Sequence, residues 1–160
     1  MSNSAAMAAV RAHHEELSTQ LQGRVRQVMR DALVDDSGAA QRELERWCRD
    51  ELLPHAVAEE RTLYNAAGGR EATRLLVRAM LDEHRALEAL IDALARARDA
   101  IEIVGAAASV QALFAVHLGK ENDLLLPALD GAGLDIDALV SGMHEVLGGH
   151  GDPAGAGSRA

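Results

Sequence analysis

Pro54-His55-Ala56-Val57-Ala58-Glu59-Glu60 decides how the rest of the chain is read. Residues four apart on a helix share a face, so His55 and Glu59 point the same way. An imidazole and a carboxylate converging from one helix are two metal ligands or one hydrogen-bonded pair. The spacing recurs at His117-Leu118-Gly119-Lys120-Glu121. If both pairs face inward, the remaining sequence is a scaffold that brings them together.

Working outward, apolar residues recur at three- and four-residue steps along most of the chain. A first helix is predicted from Ser4 to Val34, with Met7, Val10, His14, Leu17, Leu21 and Val28 on one face. Asp35-Asp36-Ser37-Gly38 reads as a turn. A second spans Ala39 to Ala67, with Leu44, Cys48, Leu52, His55, Glu59 and Leu63 inward. Pro54 falls inside it, where a proline removes a backbone hydrogen bond and bends or restarts the helix. A third is expected from Glu71 to Val104, with Leu76, Val77, Met80, His84, Leu87, Ile91 and Leu94 as its stripe and Gly105 as its stop. A fourth runs from Ala106 to Asp130, with Val110, Leu113, His117, Glu121, Leu124 and Ala128 inward. A short helix follows from Asp135 to Leu147. Residues 4–147 read as one domain and 148–160 as a flexible Gly-rich tail.

The sequence also repeats. His14 precedes His55-x-x-x-Glu59 at much the same interval as His84 precedes His117-x-x-x-Glu121. Two such hairpins make an all-α, up-down-up-down four-helix bundle with one inward histidine per helix at one level. An unpaired buried polar group costs about 1–3 kcal/mol, so four buried imidazoles and two buried carboxylates call for cations between them. Two divalent ions about 3.5–4 Å apart would suit the set. The ligand types admit iron, manganese or zinc. No histidine has a glutamate three residues before it, so the Glu-x-x-His di-iron pattern is absent.

Composition narrows the function classes. The 160 residues are 48% hydrophobic and 2% aromatic, which favours helices over sheet. A net charge of −9 argues against a nucleic-acid partner. Cys48 is the only cysteine, so no internal disulfide forms. The first ten residues lack the layout of a secretory leader, and the apolar runs look too short to span a bilayer. The expectation is a soluble, cytoplasmic protein with no membrane partner. Its oligomeric state is left open.

The order His, His-x-x-x-Glu, His, His-x-x-x-Glu resembles the hemerythrin-like, or HHE cation-binding, family. The flanks His84-Arg85-Ala86-Leu87 and Leu126-Pro127-Ala128-Leu129 fit as well. The likeness covers about residues 7–130. It implies a four-helix bundle holding two iron ions joined by an oxo or hydroxo bridge. Zinc or manganese is the lesser alternative. His14, His55, His84 and His117 would then be terminal ligands, and Glu59 and Glu121 bridges. The resemblance further implies O2, peroxide or NO as the small-molecule ligand. One departure matters: Met80 stands where hemerythrin has a further histidine. The spare position invites water, peroxide or another protein ligand, with Glu60, His13 or His144 at hand. Peroxide breakdown is the enzymatic reading. An iron- or oxygen-responsive binding module without turnover is the alternative.

The other singled-out residues have plainer readings. Tyr64, one residue off the inner face, closes the core or bonds a bound oxygen species. Trp47, Phe114, Cys48 and Met80 read as packing. Glu60, His13 and His144 read as surface residues. Leu17, Leu63, Met80, Leu87, Leu113 and Leu124 are expected to line an apolar pocket around the ligands.

Overall fold

A computed structural model describes residues 2–34 and 38–148. Of the expected turn at 35–38 and tail at 148–160, Gly38 and Gly148 are helical and the rest lies outside the described residues. Five helical rods account for nearly all of the rest, with no strand among the described residues. They are α1 (Asn3–Ala32), α2 (residues 38–68), α3 (Arg74–Arg96), α4 (Ala100–Gly131) and α5 (Ile136–Gly148). The first four form a ring in which α1 packs on α2, α2 on α3, α3 on α4 and α4 on α1, while α5 lies over α1 and α2.

Two of the rods are not plain α-helices. α2 contains π turns at Cys48–Leu52 and Glu60–Tyr64, and α4 contains one at Glu121–Leu125. Pro54 and Pro127 each stand just beyond a π turn. There the Leu53 and Leu126 amides reach back five residues, to the carbonyls of Cys48 and Glu121. A proline lacks the amide and crowds the carbonyl four residues before it. The wider turn absorbs both problems, so each helix continues past its proline instead of restarting.

The π turn also resets the inward register. At about 100° per residue, four-residue steps drift round an α-helix, and one inserted residue cancels the drift. His117, Glu121, Leu125 and Leu129 therefore all face in. Leu124, expected inward, is 53% exposed, and Leu113 and Ala128 are only half-buried.

A second correction concerns the third and fourth helices. α3 ends at Arg96, and α4 already begins at Ala100. The Asp99 carboxylate accepts hydrogen bonds from the amides of Ile101 and Glu102, both at 2.9 Å, which is N-cap geometry. Gly105, the expected stop, lies inside α4 with open space where a Cβ would be. The true C-terminus of α4 uses Gly133 at φ +73°. There the Leu134 amide bonds to the Leu129 carbonyl and the Gly133 amide to that of Asp130, a Schellman ending that needs the left-handed residue.

α4 overturns a third expectation. It is 32 residues long with a stretch of mean hydropathy 1.6, long and apolar enough by composition to cross a membrane. Ile, Val, Leu and Phe interspersed with Ala supply that hydropathy, without a continuous run of large apolar residues. The same helix carries His117 and Glu121 into the interior, as a core helix packed on α1 and α3 does.

The core is two apolar clusters with a polar layer between them. One contains Leu17, Leu52, Leu87 and Phe114; the other contains Val10, Leu63, Met80 and Leu125, and α5 joins it through Ile136, Val140 and Met143. Along α1 and α3 the second cluster comes before the histidine and the first after it. Along α2 and α4 the order is reversed. Every rod therefore carries its polar residues across the same level.

Candidate metal centre

His14, His55, Glu59, His84, His117 and Glu121 all meet in that layer, and none is more than 6% exposed. They fall into two donor groups. His14, His55, Glu59 and Glu121 place one donor atom each within 4.8 Å of one another, and so do Glu59, His84 and His117. Glu59 belongs to both. Its Oε1 lies 2.7 Å from His55 Nε2 and 3.3 Å from His14 Nε2, while its Oε2 is 3.6 Å from His84 Nε2. Glu121 likewise spans the centre, with Oε2 3.5 Å from His14 Nε2 and Oε1 4.0 Å from His117 Nε2.

Whether these residues fit cations can be read from their loose ends. His14 Nε2, His55 Nε2, Glu59 Oε1 and Glu121 Oε2 are buried without a hydrogen-bond partner among the described residues. Four lone-pair atoms turned on one another are costly unless a positive charge lies between them. The donor set is imidazole and carboxylate without thiolate, which suits iron, manganese or zinc. The residues fit.

Outer partners fix three of the four rings. His14 Nδ1 donates to Asn122 Oδ1 at 2.9 Å, His84 Nδ1 to Glu60 Oε1 at 2.8 Å, and His117 Nδ1 to Glu83 Oε2 at 3.0 Å. Lys120 in turn pairs with Glu83. Each such bond turns an Nε2 lone pair inward, as second-layer partners of metal-bound histidines do. His55 Nδ1 has no such partner among the described residues.

The electrostatics separate groups that look alike in sequence. Burial works against the Glu59 charge, but the imidazoles of His55, His14 and His84 outweigh it and hold the carboxyl well below its usual range. Burial and the Glu59 charge push Glu121 well above it, against a hydrogen bond from Tyr64. Burial lowers His84, yet Glu59 and Glu60 raise it overall. Burial takes His117 down to about 4, with Glu59 opposing and His84, His14 and His55 assisting. The 3.0 Å contact between His84 Nε2 and His117 Nε2 suits an N–H of His84, the imidazole shifted upward, donating to His117, the one shifted downward. Without metal, the two carboxyls are pushed in opposite directions, and so are the two neighbouring imidazoles.

A profile of the hemerythrin HHE cation-binding domain matches residues 5–129, and again 75–146. The chain belongs to that family. No curated protein and no solved structure matches it. An HHE cation-binding domain with His and Glu groups able to hold a metal is thus established.

Several residues do more in this HHE domain than their sequence readings suggested. Tyr64 is buried in the core as expected, but its hydroxyl also donates to Glu121 Oε1 at 2.6 Å and lies 3.1 Å from His117 Nε2. Its ring stacks on His84. Glu60, read as surface charge, is partly exposed yet holds His84. His13 is exposed, but its ring lies edge-on to His55 at 5.0 Å, and burial with the two neighbouring histidines lowers its pKa. His144 is on the surface as expected. Glu83 and Asn122 were not singled out at all. The signal was adjacency: Glu60, Glu83 and Asn122 each sit next in sequence to Glu59, His84 or Glu121. One residue along a helix turns the side chain about 100°, off the site and toward the ring of a neighbouring rod.

Proposed function

We propose that this HHE domain is a cytoplasmic non-haem di-iron protein that binds or reacts with dioxygen, peroxide or nitric oxide. Its scaffold is read as an up-down-up-down four-helix bundle, a reading supported by the alternating order of the two apolar clusters along α1 to α4. The observation that carries the di-iron reading is Glu59, whose two oxygens each belong to a different donor group. A carboxylate shared in this way suits two ions side by side. His14 and His55 would hold one ion, His84 and His117 the other, and Glu59 and Glu121 both.

Iron, when bound, supplies one-electron chemistry at two neighbouring ions. The chain's own residues set the conditions. The apolar clusters on either side exclude water from the layer. Burial first, and then the Glu59 carboxylate and the hydrogen bond to Glu121, push the Tyr64 phenol far above its usual pKa, so it keeps its proton and offers one O–H donor within the centre. Met80 is wholly buried in apolar surroundings and fills space. The second donor group therefore stays smaller than the first, with fewer protein donors on the His84 and His117 side.

The test is anaerobic loading with ferrous iron, elemental analysis, and optical spectra after mixing with O2, peroxide or NO. Two iron ions per chain and a spectral change with at least one of the three are expected. His55→Ala and His84→Ala should each leave one ion or fewer. Protein that retains only zinc and gives no spectral response would refute the proposal.

A further inference from the structure

We propose that the apolar cavity between α1, α2 and α5 is the holding site, and the way in, for a small apolar gas molecule serving the centre. This rests on the di-iron reading for its chemistry, but the cavity is defined independently of any metal. It has a volume of about 140 Å³ and is walled by Ala9 and Val10 of α1 and by Val140, Met143 and Leu147 of α5, with His55 of α2 among its lining. His13 and His144, both exposed, also border it. An apolar cavity of about this size stays dry and takes up xenon. A nonpolar diatomic gas is smaller and has the same preference.

The position gives the cavity its use. His55 lines it, and the Nε2 of the same ring lies 2.7 Å from Glu59 Oε1, so one side chain separates the cavity from the donor set. Two other clefts that reach a site histidine differ in chemistry. The one at His14 carries Arg11, Glu15 and Asp123, and the one at His84 carries Glu60, Arg85 and Glu88 beside Leu53, Val57 and Leu81. The charged groups hold water in both, so an apolar gas gains less by entering them. The pattern of ring anchors agrees. The histidines at the charged clefts have Nδ1 partners, whereas His55, 2% exposed, has none among the described residues. A polar partner for Nδ1 would wet this dry approach. α5 also acquires a purpose: it stands outside the ring of four, yet it supplies the outer wall.

Xenon and nitric oxide are the probes. Crystals under xenon pressure, or xenon NMR in solution, should place a xenon atom in this cavity in both the metal-free and the iron-loaded chain. Ala9→Phe and Val140→Phe fill it from two different helices, neither through a donor residue. Each should abolish xenon binding and slow NO association with the ferrous protein tenfold or more at unchanged iron content. If one of the two fails to fold, the other carries the test. Val57→Trp, at the charged cleft beside His84, should leave the NO rate within twofold. Xenon elsewhere or nowhere would overturn the proposal, as would an unchanged NO rate in a folded, xenon-free variant. Equal slowing by Val57→Trp would overturn the route. A chain that takes up no iron would instead refute the di-iron reading, while the xenon result still decides the cavity.

Discussion

Glu59 and Glu121 occupy matching places in the repeat, yet the structure predicts opposite results for the same substitution. In the metal-free protein Glu59 is a carboxylate among His55, His14 and His84. Glu59→Gln removes that charge and takes from buried His84 a carboxylate that raises its pKa. Breaking a buried charged pair costs about 3–5 kcal/mol. The amide keeps one acceptor, so about 2–4 kcal/mol is expected. For a chain of this length each kcal/mol moves Tm by about 2–4 °C, which gives a fall of roughly 5–15 °C. Glu121 is held toward its neutral form by burial and the Glu59 charge. Glu121→Gln fixes the form toward which Glu121 is already shifted and keeps the acceptor for the Tyr64 hydroxyl, so the cost should stay within about 1 kcal/mol. Both variants lose a carboxylate from the donor set. Ligand at a hundred times its Kd adds about 2.7 kcal/mol, and both should lose at least half of the rise in Tm that metal gives the wild type. Thermal unfolding at neutral pH, with chelator and then with anaerobic ferrous iron, reads both effects. If the metal-free Glu121→Gln protein is destabilised as much as Glu59→Gln, the assignment of charge within the centre is wrong.

Three further outcomes are expected. His117 is neutral in the folded metal-free chain down to about pH 4, whereas an unfolded histidine takes its proton near pH 6.5. Its contribution is therefore complete above pH 6.5 and lost as pH falls toward 4, about 3 kcal/mol in all; chelated protein titrated with denaturant should show that slope, and His117→Gln should lack it. Buried Gln41 donates from Nε2 to the carbonyls of Leu94 (2.7 Å) and Ala97 (2.9 Å) at the end of α3, so Gln41→Leu should cost about 1–3 kcal/mol in chemical denaturation and leave metal stoichiometry intact. Burial pushes the Cys48 thiol up to about 12, so iodoacetamide at pH 8 should label it only in denatured protein, as mass spectrometry would show.

Local spacing was enough to single out the six side chains that meet in the buried polar layer, and the all-helical class. A His-x-x-x-Glu pair names a helix face by itself, and four faces carrying one histidine each have few ways to hide them all. The boundary at residues 97–99 was not legible, because Asp99 sits in a periodic run and caps a helix only once the chain has turned. Nor was the register beyond Glu121. A π turn is one residue of slack, and whether Leu124 or Leu125 faces in depends on how the helix passes Pro127.

The sequence by itself determined which side chains share a helical face, since that follows from backbone geometry within a few residues. Only the tertiary structure decided what those side chains do. The difference in charge between Glu59 and Glu121, the anchoring of three histidines by Asn122, Glu60 and Glu83, and the cavity behind His55 all come from neighbours on other helices. Electrostatic and packing energies depend on distance and burial, and separation along the chain specifies neither.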